Sequence, residues 1–287
     1  MKYMFIENHS RAFRVKKMCR CLGVSRSGYY AYKRRPVSKR QRANERLLVE
    51  IRTIYRKNRG VYGSPRIARQ LRDGKFKCGK NRVARLMRIN GIFAKTKRRF
   101  KVTTNSRHKY PVSENLINRQ FKAAVPNRLW VSDITYIWTD EGWLYLSVIL
   151  DLYSRMIVGW AFEDRQNTGL VKKAFLRAIV RRKPTRGLIL HSDRGVQYAS
   201  DDFRKALKQY GVIPSMSKKG DCYDNAVAES FFHTLKTELV YHEKYKSKAQ
   251  AKSSIFEYIE VFYNRRRKHS AIEYLCPVDY ERRFGVS

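Results

Sequence analysis

A change in hydrophobic pattern at Leu129 constrains the fold of this chain more than any other feature of its sequence. From there three apolar runs follow one another, LWVSDITYIW, WLYLSVILDLYS and RMIVGWAF, and an Asp-Glu-Gly turn separates the first two. Such runs around a short polar turn are typical of strands joined in a hairpin. A helix over about 168–181, a strand over 187–191, a helix over 200–210 and a strand over 212–215 follow. This order predicts an α/β core.

The charge of the chain is strongly positive and unevenly distributed. The 287 residues carry 63 Lys and Arg against 24 Asp and Glu, a formal net charge of +39. Residues 1–128 hold 37 of these cations and 5 of the acids, whereas residues 129–287 hold 26 and 19. So large an excess in one half indicates a polyanionic partner, nucleic acid or anionic membrane, more than a merely solvated surface.

Two helix-turn-helix patterns lie in the basic half. Residues 14–33 predict a helix, a turn at Leu22-Gly23-Val24 and a second helix capped by Ser25. Four residues occupy the early turns of that second helix, where recognition helices contact DNA: Arg26, Ser27, Tyr29 and Tyr30. An ordinary helical hairpin with a basic surface is the alternative. A helix over about 41–58 and a second helix-turn-helix-like unit over 64–92 follow.

The sequence predicts four segments. Residues 1–92 form a helical DNA-binding region, and residues 93–128, rich in cations and poor in periodicity, form a DNA-tracking linker. The α/β core spans 129–245 and includes a helix from about 225 to 239, and a C-terminal extension, 246–287, carries a last helix over roughly 248–266. No apolar stretch is long enough to span a membrane, and MKYMFIENHS lacks the apolar core of a signal peptide. We therefore expect a cytoplasmic protein.

Three acids stand out by their positions in the predicted core. Asp133 interrupts the first strand, where a charge is ordinarily costly, and Asp193 follows the fourth strand at the carboxyl edge of the sheet. Glu229 lies in the next long helix, and Lys236 lies about two turns beyond it on the same face. A cap, a turn or a surface ion pair would explain any one of these acids alone. The three together indicate a hard-oxygen site for two Mg²⁺ or Mn²⁺ ions that serves phosphoryl transfer.

The cysteines do not indicate a second metal site. They stand at positions 19, 21, 78, 222 and 276, without the C-x-x-C spacing of zinc sites, and the histidines supply no H-x₃-H pair. We therefore predict reduced, mostly packed thiols and no structural zinc.

These motifs together resemble one known family. The chain is similar to the integrase core of family three bacterial insertion-sequence transposases, second reading frame, in WVSDIT, HSDRG, CYDNAVAES, the 35 residues between Asp193 and Glu229, and Lys236. MCRCLGVSRSGYYAY, NRGVYGSPRIARQL and YNRRRKHSAIEYLCPVDY also resemble segments of the family, so the resemblance covers nearly the whole chain. It implies an α/β ribonuclease H-like integrase catalytic core, as in retroviral integrases, preceded by an all-α helix-turn-helix DNA-binding region.

The resemblance also implies an activity. It makes Asp133, Asp193 and Glu229 ligands of the two Mg²⁺ or Mn²⁺ ions, and Lys236 a DNA contact near the scissile phosphate. The implied DNA transposase nicks the ends of a mobile element to free 3′-hydroxyls, joins the element as a circle and transfers it into target DNA. Its implied partners are terminal inverted repeats, target DNA and further copies of the chain, at least a dimer on DNA, at the bacterial nucleoid. The zinc module of retroviral integrases has no counterpart in this sequence.

Residues beside the acids keep open interpretations. His191 and Arg194 flank Asp193 and either orient the acid or the DNA, or serve packing and a turn. Asp151, at the end of the second strand, is expected near Asp133 as a supporting residue and not as a ligand.

Two further features are ambiguous. Asn225 is expected to cap the Glu229 helix while its loop contacts DNA. The basic run 264–269 fits a DNA contact and a solvated face equally well.

Two other classes of protein compete with a transposase. A helix-turn-helix repressor leaves the acid in the first strand, Asp133, unexplained, and a simple nuclease of the same fold leaves the basic helical half unexplained.

Overall fold

The computed structural model describes residues 1–95, 113–117, 120–217 and 225–285. The chain divides into two units, Met1–Thr53 and Ile54–Ser287. Residues 96–112 of the predicted linker and residues 222–224 of the CYDNAVAES motif lie outside the described residues. The predicted segment limits at 92, 128 and 245 stay predictions.

The first unit is helical. Its elements are α1 (Lys2–His9), α2 (Val15–Cys21), α3 (Arg26–Arg34) and the beginning of α4 (Lys39–Lys57). Gly23 adopts φ +60° in the turn between α2 and α3, a conformation that glycine tolerates best. The Ser25 side chain caps α3 by accepting from the Gly28 amide at 3.0 Å. The helix-turn-helix predicted over 14–33 is therefore confirmed, and α1 is an additional helix.

The second unit begins with two short helices that follow α4. These are α5 (Ser64–Asp73), with Pro65 in its first turn, and α6 (Lys80–Ile89). The two helices contact each other and bury one apolar face each, Ile67 and Leu71 on α5 and Val83 and Leu86 on α6. Both the predicted helix near 41–58 and the two-helix unit near 64–92 are present.

A mixed sheet forms the centre of the second unit. Within the described residues it has five strands in the order β3-β2-β1-β4-β5. β1, β2 and β3 pair in antiparallel fashion, whereas β4 pairs in parallel with both β1 and β5. The strands span Leu129–Thr139 (β1), Gly142–Asp151 (β2), Ile157–Glu163 (β3), Ile189–Ser192 (β4) and Ile213–Met216 (β5). The predicted α/β core and its hairpin at Asp140-Glu141 are confirmed.

Three helices form one hydrophobic core with one face of the sheet, which includes Trp130 of β1 and Ile149 of β2. They are α7 (Thr168–Arg182), α8 (Val196–Ala199) and α9 (Asp201–Gln209). α7 lies so close to β3 that a Cβ at Gly159 would stand 2.6 Å from the Cβ of Ala178. Glycine is thus required where this helix crosses the strand.

The C-terminal part is more helical than the sequence predicts. α10 (Ala226–Glu238) contacts β1 and β2, and α11 (Lys248–Phe256) continues as a π-helical segment, Glu257–Tyr263. The helix predicted over 248–266 therefore ends at Tyr263. The prediction that it is the last helix is wrong, because α12 (Pro277–Phe284) follows and begins with a proline at its first position. Across the described ranges, no helix is long and apolar enough to cross a membrane.

Candidate active site

The sheet brings two of the predicted acids together. β1 and β4 pair in parallel with Val131 opposite His191. Continuing that register by two residues sets Asp133 beside Asp193, which directly follows β4. Backbone pairing, more than side-chain packing, therefore determines the spacing of these two acids.

Neighbouring backbone amides orient both carboxylates. Asp133 accepts a hydrogen bond from the Ile134 amide at 2.8 Å, and Asp193 accepts one from the Gly195 amide at 2.9 Å. Each acid is also only partly buried. Each therefore keeps acceptor capacity for a ligand from outside the sheet.

α10 supplies the third acid and the lysine. Glu229 lies in its first turn and Lys236 in its last, and a separation of seven residues places both on one face. Asn225 occupies the cap position, as predicted, but its side chain makes no capping hydrogen bond. It donates instead to the Ser132 carbonyl at 3.3 Å, which ties the start of α10 to the residue before Asp133.

The four side chains lie close enough to influence one another electrostatically. Burial holds the pKa of Asp133 well above its usual value, the Asp193 and Glu229 carboxylates raise it further, and the Ile134 amide and Lys236 oppose the shift. Partial burial, and then Asp193, raise the pKa of Glu229. Burial lowers the pKa of Lys236, and Asp133 opposes that effect. The structure thus brings together the four residues singled out in the sequence and leaves their negative charges only partly compensated.

The donor types fit a hard divalent cation. Carboxylate oxygens are the ligands that Mg²⁺ and Mn²⁺ prefer, and a cation would relieve the repulsion among the three acids. In the part of the chain that the structure describes, no three His, Cys, Asp or Glu side chains are already converged as a metal-binding group. The β1–β4 register makes Asp133 and Asp193 neighbours, and Asp193 raises the pKa of Asp133 more than Glu229 does.

A serine and a tyrosine that the sequence gave no reason to select support Asp133 from behind. Ser132 donates to the Val148 carbonyl at 3.0 Å, and its hydroxyl lies 2.9 Å from the hydroxyl of Tyr198 on α8. Tyr198 is buried, and its burial, together with the charges of Asp133 and Asp193, holds its pKa well above the usual value. Its hydroxyl is therefore neutral and links α8 to the strand that carries Asp133.

His191 and Arg194 serve the sheet and its turn. His191 is fully buried, with its ring nitrogens 2.9 Å from the Ser215 hydroxyl and 3.2 Å from the Ser217 hydroxyl. The Nε of Arg194 donates to the Ser217 carbonyl at 2.6 Å. Of the two roles proposed for these residues, packing and turn formation is the one that these contacts support.

The expectation that Asp151 lies near Asp133 is wrong. In the β1–β2 hairpin Asp133 pairs with Val148. Asp151 pairs instead with Trp130, which lies three residues before Asp133 along β1. Because successive side chains alternate between faces, the two acids point to opposite sides of the sheet. Asp151 is fully buried there and accepts hydrogen bonds from the Asn127 amide at 2.8 Å, the Tyr153 amide at 2.9 Å and the Trp130 indole at 3.3 Å.

The run 264–269 proves to be mainly structural. The Asn264 side chain makes two hydrogen bonds of 3.0 Å to the backbone of Ile157 in β3, and Arg267 and His269 are buried. Arg265 and Arg266 are the two exposed residues of this run. Neither a DNA contact nor a solvated face accounts for the run as a whole.

Arg267 belongs to a polar network around Glu238, the last residue of α10. Glu238 accepts from Arg267 at 2.7 and 2.9 Å and from the Tyr258 hydroxyl at 2.8 Å. Tyr62, before α5, accepts from the Lys268 amide at 2.8 Å, and Arg66 donates to the Lys268 carbonyl at 3.0 Å. Two segments that resemble the transposase family, NRGVYGSPRIARQL and YNRRRKHS, thus contact each other. Their contact lies at the end of the helix that carries Glu229 and Lys236.

The predicted recognition helix, α3, exposes three of its four selected residues. Arg26, Ser27 and Tyr30 lie on its outer surface. Tyr29 is only 1% exposed and packs in the core with Ile6, Met18 and Cys19, so its prediction as a DNA contact is wrong. Its ring is instead needed to hold α3 against α1 and α2.

Comparison with protein-family models agrees with this architecture. Residues 123–222 and residues 229–283 each match a model described as an integrase core domain. Residues 42–100 match a model described as an HTH-like domain. Fold and site therefore define a protein with an integrase catalytic core and a helix-turn-helix-like region that implies DNA binding.

Curated relatives identify the family within that class. The chain is 42% identical, over 98% of its own length and 98% of the relative's, to transposase InsF for insertion sequence IS3A of Escherichia coli (strain K12). It is 43% identical to an uncharacterized 31 kDa protein of insertion element IS600 of Shigella sonnei, over 93% of this chain and 98% of that one. The chain belongs to the IS3 family of transposases.

A solved structure of the HTLV-2 integrase catalytic core domain in complex with magnesium aligns with a TM-score of 0.41 and 16% identity, over 54% of this chain and 95% of that chain.

Proposed function

We propose that this transposase nicks DNA at the terminal inverted repeats of its mobile element and joins the freed 3′-hydroxyls to target DNA at a single metal-dependent site. The observation that carries the proposal is the parallel register of β1 and β4, which sets Asp133 beside Asp193 at the edge of the sheet. Both reaction steps exchange one P–O bond for another, so one site serves both.

Each residue of the site has a distinct role. Asp133, Asp193 and Glu229 would hold the metal through carboxylate oxygens, in keeping with the mutual repulsion that raises the pKa of Asp133 and of Glu229. When bound, two Mg²⁺ or Mn²⁺ ions supply activation of the attacking oxygen and neutralise charge on the leaving oxygen. Lys236 contacts the scissile phosphate: its ammonium lies 4.8 Å from the centroid of the Tyr136 ring and is close enough to Asp133 for that charge to raise its pKa.

The basic half delivers the DNA. Arg26, Ser27 and Tyr30 contact the terminal repeats from the exposed face of α3. Residues 1–92 form the DNA-binding region and 93–128 a linker that follows the DNA backbone, while 129–245 carry catalysis and 246–287 complete the core. Cutting two ends together requires at least two copies of the chain on the DNA.

Cleavage and joining of labelled terminal DNA, in Mg²⁺ and in Mn²⁺, test the catalytic assignment. Asp133→Asn, Asp193→Asn and Glu229→Gln should each retain DNA binding and lose nicking and strand transfer together, because the same metal site serves both. Lys236→Ala should weaken end-specific cleavage and crosslinking near the cut.

Asp202→Asn, at an exposed acid of α9, is the matched control and should cleave and join like the wild type. Substantial joining by any of the three acid variants would remove that residue from the site. DNA binding without cleavage by the wild type would indicate a repressor, and nicks without joined products would indicate a nuclease.

A further inference from the structure

An exposed aromatic patch lies at the end of the β1–β2 hairpin and has no part in the proposed catalytic chemistry. Trp138 and Trp143 face each other across the hairpin and are 57% and 44% exposed. Their ring centroids are 4.9 Å apart, and the Trp143 ring lies 5.0 Å from that of Tyr136. We call these three residues the hairpin patch.

Lys236 links the hairpin patch to the catalytic residues, although the three rings stand on the sheet face opposite the Asp133 side chain. The ammonium of Lys236 lies 4.8 Å from the centroid of the Tyr136 ring, and the same ammonium interacts with the charge of Asp133. A phosphate held by Lys236 would therefore lie next to the first ring of the patch. Bases that flank this phosphate would then lie beside Tyr136, with the rings of Trp143 and Trp138 following at centroid spacings of 5.0 and 4.9 Å.

The patch is also held in place before any ligand arrives. The Asp140 amide donates to the Tyr245 carbonyl at 3.0 Å, and the Lys248 amide donates to the Glu141 carboxylate at 2.8 Å. These bonds fix the hairpin turn. Rings on a fixed support lose little conformational freedom when a planar group stacks on them.

Unpaired DNA bases suit this surface better than the sugar-phosphate backbone does. The edge-to-face rings leave aromatic surface open to solvent, and stacking accepts any base because every base has a π face. The turn beside the rings carries two exposed acids, Asp140 and Glu141, which repel phosphates. Lys236 attracts phosphate at the opposite end of the patch.

We propose that Tyr136, Trp143 and Trp138 form a stacking surface for unpaired bases of the DNA end that flank the scissile phosphate. This inference rests on the proposed DNA cleavage at Asp133, Asp193 and Glu229. Stacking holds a frayed end in one orientation while Lys236 contacts its backbone. The two tryptophans provide most of the contact area because they are the most exposed members of the patch.

Binding of a short oligothymidylate to the full chain tests the proposal, with an abasic oligomer of the same length as the reference ligand. Trp138→Ala and Trp143→Ala should each weaken oligothymidylate binding about tenfold or more, since stacking contributes that much per base. Trp138→Phe and Trp143→Phe should retain most of the affinity. Abasic binding should stay unchanged in all four variants, because it depends on phosphate contacts alone.

Phe256→Ala, at an exposed aromatic residue of α11 outside the patch, is the control and should bind both oligomers like the wild type. Equal loss on both ligands, or no loss on either, would overturn the proposal. So would a change in sedimentation from oligomer to monomer without a change in base-dependent binding, since that result identifies the patch as a contact between copies. Binding is measured without metal in an Asp133→Asn background, so it succeeds or fails independently of cleavage.

Discussion

Arg267 donates to both carboxylate oxygens of Glu238, at 2.7 and 2.9 Å, and neither side chain is more than 8% exposed. Glu238 is the last residue of α10, two positions beyond Lys236. The ion pair therefore fixes the C-terminal end of the helix that carries both Glu229 and Lys236. Nearby Glu238 raises the pKa of Arg267 in spite of burial, so the guanidinium is charged.

Breaking this pair should destabilise the second unit strongly. Arg267→Met leaves a buried carboxylate without its main partner, and the free energy of unfolding should fall by about 3–5 kcal/mol. Denaturant unfolding measures the change, and Arg265→Met, at an exposed position of the same run, is the control. Adding Glu238→Leu to Arg267→Met should recover part of the loss. A double variant less stable than the single one would show that the buried charge is not the cause.

His269 should make stability depend on pH. Burial, followed by the charges of Arg267, Arg66 and Arg155, holds its pKa well below the usual value of about 6.5. Below about pH 6.5 the His269 ring of the unfolded chain binds a proton that the folded chain excludes. The free energy of unfolding therefore decreases as the pH falls. Relative to His269→Gln, the wild type should lose about 1.4 kcal/mol of unfolding free energy for each pH unit below roughly 6.5.

The same measurement between neutral and mildly acidic pH on His9→Gln, at an exposed histidine of α1, should show the wild-type slope. Parallel pH profiles for wild type and His269→Gln would mean that this ring binds a proton as readily in the folded protein as in the unfolded chain.

Asp151→Asn should act on stability and not on metal binding. The carboxylate accepts two backbone amides and the Trp130 indole and lies 3.6 Å from Arg182, all on the face opposite Asp133. The side-chain amide of this variant cannot accept all of these hydrogen bonds. The free energy of unfolding should therefore fall by about 1–3 kcal/mol, which appears as a lower midpoint of thermal unfolding. Raising Mg²⁺ should not restore cleavage lost on warming. Recovery of activity with Mg²⁺ at constant stability would place Asp151 back among the supports of the metal site.

Arg26 and Tyr29 should respond differently to substitution although they are close in sequence. Arg26→Ala should reduce discrimination between cognate ends and random DNA by about 1–3 kcal/mol, as the proposed contact of this exposed arginine with base edges requires. Tyr29→Ala should unfold the first unit and abolish discrimination and general binding together. Competition binding and circular dichroism separate the two effects. Arg26→Ala binding that falls equally on both DNAs would assign Arg26 to the phosphates.

The hairpin shows how far the sequence predicts the site. Alternation along β1 and the Asp-Glu-Gly turn were sufficient to predict two paired strands and to select Asp133. The length of the same turn also predicts on which face of the sheet Asp151 lies. Because the loop has two residues, Thr139 pairs with Gly142. Counting along both strands from that pair sets Asp151 opposite Trp130, on the face opposite Asp133.

Other features depend on contacts that no local pattern contains. Glu238 and Arg267 are 29 residues apart, and Tyr62 and Lys268 are 206 apart. The composition of the basic run 264–269 is typical of a DNA contact or a solvated face. It does not indicate that a carboxylate distant in the sequence accepts hydrogen bonds from one of its arginines. The burial of Tyr29 likewise depends on α1, which the periodicity of the sequence did not predict.

The parallel register of β1 and β4 gives the active site a mechanical stiffness that its side chains alone would lack. The ladder pairs Leu129–Val131 with Ile189–His191, directly before the two acids, and a slip of one whole residue in it would turn one carboxylate to the far side of the sheet. The spacing of the two acids therefore depends on this short ladder. Substitutions around the pair can therefore change the charge and reach of the side chains without changing the register that spaces them.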